Sequence, residues 1–203
     1  MGFGLIFLGW VTLLFFKVLP VGILGAFLMY KGLSKLCEYS DLFCKAKKAC
    51  AVLGVYFVIF GVLWTLDIVG VIRFTEIKAL VYADELIYYV ALMAFSYFLY
   101  RALGDISRQT GFEKGMLREQ RCRSLLIVFV IFTAVRVVGY FIGMEMYLRL
   151  PLMIYELFWL GYSAMYIYSC YMMIATQEII DDEIKKMKEY DEKYSMLKRK
   201  SGK

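Results

Sequence analysis

The chain has 203 residues, 62% of them apolar, with a net charge of +6 and a mean hydropathy of +0.64. A water-soluble domain of that size would leave several apolar runs exposed, so the composition points to a polytopic helical membrane protein. Histidine is absent, which removes His-based zinc sites and Ser-His triads from the possible chemistry.

A bilayer-spanning helix needs about 20 mostly apolar residues, and six segments qualify in chain order, at about 2–16, 19–36, 49–72, 79–103, 123–144 and 150–176. Their pairing predicts an all-α bundle of three hairpins over residues 1–176. The first segment is short: fifteen residues rise about 22 Å, against a hydrocarbon core about 30 Å thick. It reads either as a short span that thins the bilayer or as a re-entrant piece packed on its neighbours. The two prolines, Pro20 and Pro151, fall at expected helix starts, where a missing N–H costs least. Residues 177–203 form a charged tail, with acid-before-base pairs Asp181–Lys185, Asp182–Lys186 and Glu189–Lys193 at helical spacing. The expectation there is a cytoplasmic helix that lies on the membrane or docks a protein partner.

Charge sets the orientation. Of the 24 Lys and Arg residues, nineteen fall in 31–48, 101–123 and the tail, while only Lys17, Arg73, Lys78 and Arg149 fall on the opposite side. Basic loops stay cytoplasmic, so both termini are expected inside if the first segment spans. The basic loops therefore signal orientation and not nucleic acid. The five cysteines lie at or near the same reducing side, where packing rather than a disulfide framework is expected. No C-x-x-C pair suggests a metal site, and no Gly-rich fingerprint suggests a cofactor.

The remaining cation, Arg136, sits inside the apolar run FTAVRVVGYF of segment 5. Insertion scales put a mid-membrane arginine at about +2.5 to +3.5 kcal/mol, so a partner or a polar cavity must offset it. On a helical wheel it shares a face with Thr133, Gly139, Tyr140 and Gly143, and Gly139/Gly143 form a G-x-x-x-G expected to admit a close helix neighbour. Glu156, two turns into segment 6, and Asp84 and Glu85, at the start of segment 4, are the carboxylates at matching depth. Glu156 in turn shares its face with Ser163 and Cys170. These residues form either an ion pair that fixes helix contacts or a ligand cavity open to the outside.

A weak echo at a 70-residue offset sets Leu28-Met29-Tyr30-Lys31-Gly32-Leu33 beside Phe98-Leu99-Tyr100-Arg101-Ala102-Leu103, a pattern that interfacial placement of aromatics and cations produces by itself. The opening Met1-Gly2-Phe3-Gly4-Leu5-Ile6-Phe7-Leu8-Gly9, with Gly32-Leu33-Ser34-Lys35-Leu36, resembles a family of small polytopic bacterial membrane proteins of uncharacterised function, over about the first 48 residues. That resemblance implies a cell-membrane location and no mechanism. The residues favour a non-catalytic accessory, sensing or assembly subunit. A small-solute or ion transporter built on Arg136, Glu156 and Glu85 is the second expectation, and a lipid-modifying enzyme the third.

Overall fold

The computed structural model describes residues 2–13, 21–73, 76–144 and 147–173, nearly all of them helical. Among these described residues six helices follow in order: α1 (Gly2–Leu13), α2 (Val21–Leu36), α3 (Asp41–Ile68), α4 (Lys78–Gln109), α5 (Glu113–Ile142) and α6, helical over 147–173. Three of them, α3, α4 and α5, are long and apolar enough to cross a bilayer, which marks the chain as a helical membrane protein. The 12 residues of α1 rise only about 18 Å, and the 16 of α2 about 24 Å. The tail at 177–203 lies outside the described residues, as do Lys17 and Pro20.

The long helices overrun the apolar runs that announced them. α3 begins at Asp41 rather than near 49, α4 continues to Gln109, and α5 begins at Glu113 rather than near 123. Hydropathy marks where a helix meets lipid, not where it stops. Lys, Arg, Glu and Gln are good helix formers, so the ladder continues about two turns past the apolar stretch, and most of the basic "loops" are helical. The connections that remain are tight. Ser40 caps α3, its side chain accepting from the Leu42 N–H, which satisfies one of the orphan donors of the first turn.

The α1–α2 hairpin packs through glycine. A Cβ on Gly9 would stand 2.5 Å from the Gly25 carbonyl, and one on Gly2 would stand 2.8 Å from the Gly32 carbonyl. The two pairs, each seven residues apart on its own helix, bring the backbones into direct contact. The small residues of the opening sequence thus serve an antiparallel helix contact.

α4 is the central helix: half of its apolar window is buried, against 22% for α3 and 28% for α5. Trp10 of α1 reaches this centre, its indole N–H donating to the Leu160 carbonyl of α6 at 3.0 Å and its ring lying against Phe95 and Tyr100 of α4. α5 and α6 face inward with alternating three- and four-residue steps: Glu119, Cys122, Leu126, Phe129, Thr133 and Arg136 on one, Glu156, Trp159, Ser163, Tyr166 and Cys170 on the other, all buried. The outward faces, such as Val55, Ile59 and Val62 on α3 and Ile131, Val135 and Val138 on α5, are exposed and apolar, as lipid contact requires. In the echo between α2 and α4, Lys31 and Arg101 both point out while Gly32/Ala102 and Leu33/Leu103 point in, but Tyr30 is exposed and Tyr100 fully buried.

Candidate functional site

The end of the bundle opposite the basic turns gathers Arg136, Glu85, Arg149 and Glu156. Along α4, Tyr82, Glu85 and Tyr89 recur at three- and four-residue steps and so share one helical face. That face meets Arg136 of α5, whose side chain is 3% exposed and forms an ion pair with Glu85. The guanidinium carbon lies 5.4 Å from the Tyr82 ring centroid and 5.9 Å from that of Tyr89. Two electron-rich ring faces and one carboxylate therefore surround a charge that cannot be neutralised by losing a proton. Tyr140, one turn further along α5, stacks on Tyr82 at 4.2 Å and fixes the first ring in place.

Glu85 has a second cation. Arg149, at the start of α6, donates to its other oxygen at 2.7 Å. Glu85 is 24% exposed and Arg149 51% exposed, so the pair grades from dry at Arg136 to wet at Arg149. Glu156 is buried about two turns deeper on α6 and accepts from the Tyr88 hydroxyl at 3.1 Å and from the Tyr89 hydroxyl at 3.4 Å. Tyr89 thus touches both charged centres: its hydroxyl serves Glu156, and its ring faces Arg136. A buried carboxylate is tolerated when its lone pairs are occupied in this way.

Of the residues expected at this site, Arg136, Glu85 and Glu156 come together. Asp84 does not join them. One residue along the helix from Glu85, it turns toward α3, where it lies beside Tyr56. Both acids at the start of α4 are half-buried, rather than simply displayed at the interface. Gly139 is buried against the Leu148 side chain, so it does admit a neighbour. Gly143 does not, since a Cβ there would meet nothing within 4 Å. Its φ of 78° instead closes α5, and the Met144 N–H reaches back to the Gly139 carbonyl at 2.9 Å, a left-handed glycine termination. The G-x-x-x-G therefore divides into one packing glycine and one cap.

Sequence reading passed over three members of this site, Tyr82, Tyr88 and Tyr89, because aromatic residues near an apolar run also fit an interfacial belt. The usable signal was the three- and four-residue spacing of Tyr82 and Tyr89 about Glu85. It also passed over a second buried charge at the basic end. Glu119, on the same α5 stripe as Arg136, packs against the backbone of Gly104 on α4. It pairs with Arg108 at 2.9 Å and with Arg123 at 3.6 Å. Between the two charged ends the interior carries hydroxyls and thiols. Tyr100 and Ser163 share a hydrogen bond at 2.5 Å, and Ser96, Ser107, Cys122, Cys170 and Tyr166 are also buried. Phe129 and Trp159, stacked at 4.7 Å, stand between the hydroxyl zone and the Glu156 cluster.

Among the described residues no group of His, Cys, Asp and Glu has the geometry to hold a metal ion. No family model, no curated protein and no solved structure matches the chain.

Proposed function

We propose that the chain is a multi-pass membrane protein that acts without catalysis, as an accessory, sensing or assembly subunit working through helix contacts. In this reading the six helices enter the bilayer as three hairpins, α1 being the short one. The basic turns, both termini and the 177–203 tail face the cytoplasm. The observation that carries the reading is the enclosure of Arg136, which is paired with Glu85 and lies over the rings of Tyr82 and Tyr89. A guanidinium enclosed and ion-paired by its own bundle is a helix clasp; a ligand would have to displace those partners to reach it.

The test is a double-mutant cycle on Glu85→Leu and Arg136→Leu, read as thermal stability of the purified protein in detergent. A clasp predicts that each single substitution destabilises and that the double variant recovers most of the loss. Additive losses would remove the clasp reading. Truncation after Thr176 tests the tail as the contact element, with unchanged assembly state in native membranes arguing against it.

A second reading, transport of a small solute or ion, is favoured by one specific feature: the graded exposure from Arg149 through Glu85 to the buried Arg136 and Glu156. Its test is proton flux into proteoliposomes, read by a trapped pH-sensitive dye. Flux above that of empty liposomes, and lost in Glu156→Gln, would support transport and displace the contact reading.

A further inference from the structure

We propose that a groove between α3 and α4 seats one anionic phospholipid of the leaflet at the basic end of the bundle. The groove has a volume of 330 Å³. Its floor and walls are small or flat: Ala49 on α3 and Ala91, Ala94 and Phe98 on α4, with Val52 closing the α3 side. Three alanines where two long helices run side by side leave an open slot rather than an interdigitated contact. Ala91 to Phe98 spans seven residues, so the slot runs about 10 Å along the helices, the direction an acyl chain takes in a bilayer.

At the mouth stand Lys45 and Lys48, three residues apart and therefore on one face of α3. They occupy the first two turns of α3, at the end where the basic residues gather. Both are exposed, and among the described residues neither forms an ion pair. Lys47, between them in sequence, is turned away and lies over the Tyr30 ring at 4.9 Å. Two unpaired ammonium groups above an apolar slot match the two parts of one molecule. A phosphodiester meets the lysines, and a hydrocarbon chain fills the slot below. The lysine stems belong to the slot wall, so the same side chains serve both parts. A zwitterionic lipid could fill the slot but would gain little from the two cations. The seat therefore selects for net negative charge.

The experiment is native mass spectrometry of the full chain released from nanodiscs containing equal amounts of phosphatidylglycerol and phosphatidylcholine. The expected result is preferential retention of one phosphatidylglycerol. In Lys45→Gln/Lys48→Gln, at exposed positions where folding is not at stake, that preference should fall by about tenfold or more. Ala94→Leu, which fills the slot and leaves both charges in place, should lower retention of both lipids. As a control, Lys114→Gln/Arg121→Gln removes two equally exposed charges from the same end but outside the groove, and should leave the preference unchanged. The proposal is overturned if the Lys45/Lys48 variant keeps its preference, or if the control variant loses as much. Retention of phosphatidylglycerol unaffected by Ala94→Leu would also overturn it, by showing that surface charge alone retains the lipid.

Discussion

The two ends of α5 carry the same kind of interaction with the roles reversed. Near its C-terminus a buried arginine, Arg136, is matched by the part-exposed Glu85. Near its N-terminus a buried acid, Glu119, with 6% of its side chain exposed, is matched by Arg108 and Arg123, which are 56% and 48% exposed. The reversal matters because the two buried groups have different ways out. A carboxylic acid left without a cation can take up a proton, whereas a guanidinium cannot give one up. The arginine end is therefore the rigid one, with its partners held in place by ring stacking. The glutamate end faces long, wet side chains that can let go. The bundle is clasped at one end and loosely tied at the other.

The largest expected effect breaks the clasp. Glu85→Leu removes the carboxylate paired with the buried Arg136 and should lower stability by about 3–5 kcal/mol. Thermal melting followed by size-exclusion recovery reads this out, and an unchanged profile would mean that Arg136 has another outlet. Next come the tyrosines that hold Glu156. Tyr88→Phe removes a hydroxyl bonded to a buried acid at 3.1 Å and should cost about 1.5–3 kcal/mol. Tyr89→Phe, at 3.4 Å, should cost less while keeping the ring beside Arg136, so a larger loss at Tyr89 would reverse this ranking.

At the loose end the two cations are about half exposed and one stays beside Glu119 when the other is removed, so replacing Arg108 or Arg123 with Leu should each cost no more than about 1 kcal/mol. That cost should shrink in high salt, where exposed charges are screened. The loss from Glu85→Leu should hold across the same salt series, and equal salt sensitivity at both ends would erase the distinction drawn here.

The smallest effect lies just outside the helices at the basic end. Burial, followed by a hydrogen bond with Cys44, raises the Cys37 thiol from its ordinary 9.0 to about 11. Thiolate is the reactive form, so alkylation of Cys37 at pH 8 should be slower than that of a free thiol and should keep accelerating as the pH rises toward 11. Because the folded value is the higher one, the linked contribution to stability is present in full below pH 9 and is lost as the pH rises through about 11. A Cys37 that alkylates as fast as free cysteine at pH 8 would show that the α2–α3 turn opens in solution.

Much of this was legible in the residues and some was not, and particular positions show why. Arg136 declared itself because a charge in an apolar run is energetically costly anywhere in a bilayer, so its need for partners followed from the sequence. Glu119 gave no such sign, since it lies among charged residues that read as a loop. Only the continuation of α5 back to Glu113 places it on the buried stripe. The glycines of α1 and α2 were visible, but not their pairing. Gly9 meets Gly25 because the two helices run antiparallel at a separation that no single helix encodes.

What the sequence determined by itself is the material: helices, an apolar girth suited to lipid, a basic end and one interior charge, all consequences of solvent preference acting residue by residue. What only the tertiary structure decided is choice among equals. It turned Glu85 toward Arg136 and the adjacent Asp84 toward Tyr56, and it made Gly139 a packing surface and Gly143 a cap. Adjacent residues on a helix point about 100° apart, so which neighbour each one meets depends on where the other helices stand.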